Sequence, residues 1–339
     1  DPANIGGGVR VIGGTAQGTR AELSSRANQS LGVAYTGYGS ATDHILVQGG
    51  SGDGAEAVLT ATGNQSLYAG LGSLPAETGH IEVIGGAGQN ARALVSAGGA
   101  QAVGSTSTTC YYGGCNVPTQ DIRVQGGTGT GASASLRAVT SQTLNAGGAV
   151  RVIGGGSTGA TADITASGAN STQTIGRTDV SGQDATDLIE VRGGAGAGAT
   201  ASITAGRNQT LLSSGDIVVA GGSGANARAS VVSVNGAQVI GSGALNGGWG
   251  GAPRDIVTGG GTRTGAYRTG GTRNGQTLEA GGAIALRGGG QGAYAEVSTQ
   301  FGAQQVGRAN YEGDNSFGYY TGATHSISLT GAGFGAHPR

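Results

Sequence analysis

Apolar and polar residues alternate in short runs along the chain, and the runs recur in a fixed order. The stretch Ile189–Leu211 (IEVRGGAGAGATASITAGRNQTL) shows the order once. Ile189 and Val191 share one parity and run into Gly193-Gly194. A small-residue segment follows, with Ala199, Ala201, Ile203 and Ala205 on one parity. A third segment carries Gln209 and Leu211. Each has the period of two expected of a strand with one buried face. Each is bounded by Gly or Asn, the residues that turn a chain. Three strands and three bends make one turn of a coil.

The unit returns with its first apolar residue at Val9, Ile45, Ile81, Ile122, Val150, Ile189, Ile217, Ile256, Ile284 and Ile327. From Ile122 to Ile284 the spacings are 28, 39, 28, 39 and 28 residues. A constant unit lengthened in alternate copies is the signature of a solenoid. The pattern predicts an all-β, single-domain parallel β-helix over residues 1–339, with three short strands per coil. Nine full coils and the first strand of a tenth are expected, with loop insertions in alternate coils. At the parallel-strand spacing of ~4.8 Å, ten coils give a rod of roughly 45 Å.

The third strand repeats Gln on the parity of Leu or Ile, at Gln29, Gln65, Gln142, Gln173, Gln209, Gln238, Gln276 and Gln304. Stacked on its copies, Gln can bond amide to amide along the axis, so this column is read as structural. Arg10, Glu82, Arg123, Arg151 and Glu190 fall on outward positions of the first strand and suit a surface charge ladder. Thr does not follow a regular repeat, which speaks against an ice-binding face.

Composition removes several function classes. Glycine numbers 75, without a Gly-X-Y period and with only 5 Pro, which excludes collagen. The 18 basic residues are all Arg and face 19 acidic ones. With no basic tract, nucleic acid is not an expected partner. No apolar run is long enough to span a membrane. The Gly-Gly turns have no Lys and no following helix, so they are not phosphate loops. The recurring Asp that calcium-binding repeats need is missing, since Asp53 stands alone among equivalent turns. No cofactor or metal is expected.

The chain has no Met, which points to a processed amino terminus and a removed export signal. Cys110 and Cys115, in CYYGGC, fit a short disulfide hairpin in an exported protein, with a metal pair as the alternative reading. Extracellular or cell-surface localisation follows. The sequons at Asn28, Asn64, Asn170 and Asn208 are read as turn-forming rather than glycosylated. Ten of the 14 aromatic residues lie after the third strand: Tyr35, Tyr38, Tyr68, Tyr111, Tyr112, Trp249, Tyr311, Phe317, Tyr319 and Tyr320. Apart from Tyr68, these form the candidate binding loops, because solenoids place insertions on one, often functional, face. The aromatics equally suit covering the flank of the coil.

The alternation IxVxGG…AxAxΦxA…QTLxAGG, carried by Asp121–Gly148 and Leu188–Leu211, resembles bacterial exported β-helix repeat exoproteins of the filamentous-haemagglutinin-like and sorted surface types. The resemblance implies an adhesive or structural role and supplies no catalytic residues. The leading expectation is an extracellular structural protein, a subunit of a fibre, sheath or matrix made by head-to-tail stacking. Its candidate polymer ends are Val9 and Val11 at one end and Ile327 and Leu329 at the other, and its main partner is itself. The alternative is a surface adhesin binding glycan or protein through the aromatic loops. A polysaccharide lyase or hydrolase ranks lowest, because the acidic residues look sparse and scattered along the chain.

Overall fold

The computed structural model of the chain describes residues 7–32, 42–70, 79–104, 110–111, 114–115, 119–177, 186–241, 256–259, 265–270, 276–279, 283–287, 294–299, 304–306 and 326–330. It is a parallel β-helix. Three parallel sheets of ten, nine and nine strands run the length of the stack, and one two-stranded hairpin stands apart. All ten expected coil starts fall in the first sheet. There Val9 pairs with Ile45, Val150 with Ile189, and Ile284 with Ile327. One coil is represented by Ala149–Ile153, Thr161–Ala166 and Thr172–Ile175, one strand in each sheet.

The interior follows from the parity of each strand. The first sheet contributes pairs such as Ile122 and Val124, and the second contributes Ala-Leu-Ala rows such as Ala134, Leu136 and Ala138. The third contributes a Gln and a Leu or Ile. Nearly all of these are sealed from solvent. The Ala rows let the second sheet approach closely, so the core is narrow. Even the eighth coil, where TRTGAYRTGG replaces the usual small-residue segment, keeps register: Ala266 pairs with Ala229 on one side and Ala295 on the other.

Two glycine columns have separate physical causes. At the corner after the first sheet, successive coils pass backbone against backbone. A Cβ on Gly127 would fall on the Gly86 carbonyl oxygen and lie 2.6 Å from Gly85 C. A few residues on, the turn needs a left-handed residue. Gly54, Gly131, Gly159 and Gly198 have φ between 66° and 67°, while Asn90 (55°) and Asn226 (59°) fill the same place. Asn is the side chain best able to replace Gly there. The apparent variation between GGSGDGAEAV and GGAGQNARAL therefore conserves one conformation.

These columns should respond differently to substitution. Gly127→Ala is expected to cost about 3 kcal/mol or more in urea denaturation, because backbone atoms must move on both sides. Gly159→Asn, whose Cβ would meet open space, should change stability by less than about 1 kcal/mol.

Candidate functional site

Register brings together charges that lie far apart in sequence. On the outer face of the first sheet, His44 pairs with His80, His80 with Asp121, Glu82 with Arg123, and Arg123 with Arg151. Two ion-pair chains interleave along the axis. His44 Nε2 lies 3.0 Å from Glu82, whose other oxygen lies 3.6 Å from Arg123. His80 lies 3.6 Å from Asp121, and Arg151 bridges Asp121 at 3.4 Å and Glu190 at 3.8 Å. Arg192 then closes on Glu190 at 2.6 Å. The side chains enclose a concavity of about 440 Å³. The expectation that acidic residues outside the ladder are scattered is thus overturned for Asp121, which joins Glu82 and Glu190. The sequence ladder also lacked His44, His80 and Asp121, which precede or open the apolar run instead of lying inside it. Exposed pairs of this kind contribute about 0–1 kcal/mol each, so they do not hold the fold together.

The Gln column does. Each Nε2 donates to the Oε1 of the preceding coil: Gln65 to Gln29 at 2.7 Å, Gln101 to Gln65 and Gln142 to Gln101 at 2.8 Å, and Gln173 to Gln142 at 2.7 Å. The relay continues through Gln209, Gln238 and Gln276 to Gln304. In several coils the remaining N–H reaches the second strand of the same coil, as from Gln142 to Leu136 O at 3.1 Å. Each side chain therefore ties coil to coil, and those of Gln142, Gln209, Gln238 and Gln304 also tie sheet to sheet. Gln101, buried and in line, completes nine rungs. The sequence column leaves it out, although Gln101-Ala-Val103 keeps the spacing of Gln238-Val-Ile240 and Gln304-Gln-Val306, which the column includes.

All the candidate loops leave from one corner, between the third sheet and the first. Tyr35, Tyr38, Tyr112, Trp249, Tyr311, Phe317, Tyr319 and Tyr320 lie outside the described residues. Tyr111 is placed by its backbone, in the hairpin that sets Cys110 opposite Cys115 in antiparallel register. Tyr68 belongs to the coil itself, its N–H donating to Leu31 O at 2.9 Å.

The corner has an alternation of its own. Coils one, three, five and seven leave the third strand through Gly32, Gly104, Gly176 and Gly241, all with positive φ. A Cβ on Gly104 would fall on the Asn145 carbonyl oxygen of the next coil. The chain returns through Thr42, Thr119 and Thr186. Gly70, Gly147 and Ser214 each donate a backbone N–H at 2.8 Å to the carbonyls of these residues in turn. Thr119 and Thr186 are fully buried, and their hydroxyls donate to the Ala69 and Ala146 carbonyls. In coil five, Thr186 N donates to Arg177 O at 2.8 Å and Arg177 N to Thr186 Oγ1 at 3.1 Å, closing the base of the insertion.

Hydroxyls also fall into register on the outer face of the third sheet. Thr143, Thr174 and Thr210 pair in succession, which corrects the expectation of irregular Thr. Ala102 before them and Val239 after them interrupt the row. Three sequon asparagines cap the following coil: Asn28, Asn64 and Asn208 accept the N–H groups of Asn64, Ala100 and Ala237. Asp53 likewise accepts from Gln89 N at 2.9 Å. Among the described residues no cluster of three His, Cys, Asp or Glu could hold a metal, and no helix is long and apolar enough to cross a membrane. Comparison of the chain with protein-family models, curated proteins and solved structures gives no match.

Gln142→Leu should destabilise by roughly 2–5 kcal/mol, since Gln173 loses its acceptor and Gln101 its donor in a buried setting, each worth about 1–3 kcal/mol. Denaturation with a probe in the middle coils measures it. Replacing residues 178–185 by Gly-Gly should cost less than about 1 kcal/mol, because the base of that insertion is already closed. Thr186→Val should cost about 1–3 kcal/mol in the same assay.

Proposed function

We propose that the protein is an extracellular structural rod, the subunit of a fibre, sheath or matrix built by stacking β-solenoids end to end. The observation that carries this reading is the state of the two ends of the described stack. Leu23 pairs with Leu59 and Ile327 with Ile284, all at core positions. Leu59 and Ile284 are fully buried, yet Leu23 is 39% exposed and Ile327 50% exposed. Val11 and Leu329 share these end coils. Among the described residues, exposed apolar positions beside strands that pair on one side favour contact with another such end. The first described sheet has ten strands and the other two have nine, so head-to-tail contact would bring unlike ends together. Such a contact is heterologous and propagates as a filament.

The resemblance to exported β-helix exoproteins supports the same role. So does the hairpin register of Cys110 and Cys115, which sets the two residues opposite each other for a disulfide in an oxidising compartment. A second reading, adhesion to glycan or protein through the aromatic insertions, is favoured by the glycine and threonine bases described for the insertions after coils one and three, which carry Tyr35, Tyr38, Tyr111 and Tyr112. The two roles are compatible on one rod, and neither requires catalysis, metal or cofactor.

Electron microscopy and sedimentation test the stacking. The wild-type chain should form filaments with an axial repeat near ~45 Å per subunit. Leu23→Arg or Ile327→Arg should leave short separate rods with an unchanged melting profile. Separate rods from the wild type, or filaments from both variants, would sink the stacking. Trp249→Ala with Tyr319→Ala should abolish adhesion and spare the filaments.

A further inference from the structure

The charged concavity on the first sheet has no part in stacking, and its two arginines are poorly explained by the fold. Arg123 and Arg151 stand directly opposite each other in the parallel ladder. Like charges in that relation destabilise a sheet. Nor are they well neutralised. Their carboxylate contacts are 3.6 Å for Arg123 and 3.4 and 3.8 Å for Arg151. Elsewhere on the rod, Arg20 meets Glu22 and Glu56 at 2.9 Å, Arg137 meets Asp163 at 3.1 Å and Arg192 meets Glu190 at 2.6 Å, while Arg92 stands 4.0 Å from Glu56. A guanidinium carries five N–H donors in a planar fork. The two forks therefore retain donor capacity on the same side of a concavity of about 440 Å³, within the size range of small-molecule sites.

The remaining walls narrow the chemistry of the occupant. Glu82 and Asp121 lie beside the arginines, and His44 and His80 complete the cluster. A dianionic phosphate drawn to the forks would be repelled by the two carboxylates. A single carboxylate can accept from both forks, and hydroxyls around it can donate to Glu82 and Asp121. One negative group surrounded by hydroxyls describes a sugar acid. The chain's formal net charge is −1, so general attraction for polyanions does not account for such binding. We propose that this concavity binds a carboxylate-bearing sugar, with Arg123 and Arg151 holding the carboxylate and Glu82 and Asp121 accepting from its hydroxyls. The residues lining the site are distinct from the end positions Leu23 and Ile327 and from the candidate loop aromatics.

Isothermal titration of the full chain tests it, with tetragalacturonate, galacturonic acid and neutral cellotetraose as probes. Tetragalacturonate should bind saturably and cellotetraose should not. Binding of the monomer as well assigns the site to a single sugar acid. Binding of the tetramer alone assigns it to a polymer, and either result upholds the proposal. Arg123→Gln with Arg151→Gln should weaken binding at least about tenfold, the loss expected for charged hydrogen bonds. Arg92→Gln with Arg137→Gln, on the neighbouring sheet, should leave it unchanged. Should the first double variant fail to fold, Arg151→Lys keeps the charge, loses the fork and should still weaken binding. Absence of saturable binding by both acidic probes, equal binding of cellotetraose, or equal losses from the two double variants overturns the proposal.

Discussion

In a parallel stack every side chain lies about 4.8 Å from its counterpart in the next coil, so each position must be compatible with itself. Apolar side chains meet this condition easily, and Ile or Val on Ile or Val fills the first sheet. Ala on Ala fills the second and sets how near the sheets approach. Backbone conformation obeys the same condition, and the left-handed turn stays left-handed whether Gly or Asn supplies it. A buried polar group meets it only if it is both donor and acceptor. Gln qualifies, and the rows of Gln amides are the one polar feature continuous through nine coils of the core. Charged side chains fail the condition unless signs alternate, which makes the departures from alternation informative.

That constraint explains what was legible in the sequence. Residues that repeat in order to match themselves are visible as repeats, so coil starts, Ala rows and eight of the nine glutamines could be read directly. Gln101, in QAV, obeys the same spacing as Gln304, in QQV, and was equally legible. The charged cluster is different in kind. His44, His80 and Asp121 occupy one register column, but Asp121 breaks the residue type and the spacing changes from 36 to 41 residues. A function that draws different residues from successive coils leaves no repeat to detect. The paired Thr hydroxyls on the third sheet were hidden for a related reason, since unequal insertions blur their spacing.

The bases of the insertions show how one rod carries several surfaces without conflict. After coils three and five, glycine at the exit and a buried threonine at the return are held by the adjacent tight coil, so the base of each insertion is fixed by the stack. Insertion length therefore varies at this corner while the three sheets keep register. The charged cluster lies on the outer face of the first sheet, whereas the end positions Leu23 and Ile327 lie along the axis.

The Gln relay also has an electrical consequence. Hydrogen bonds between parallel strands point up and down the stack by turns, and their dipoles largely cancel. The side-chain amides do not cancel, because every Nε2 donates toward the earlier coil. Their moments add along the axis inside a low-dielectric core, and each bond polarises the next. The solenoid is consequently a small permanent dipole, and rods brought together in parallel would sum their moments while antiparallel neighbours would offset them.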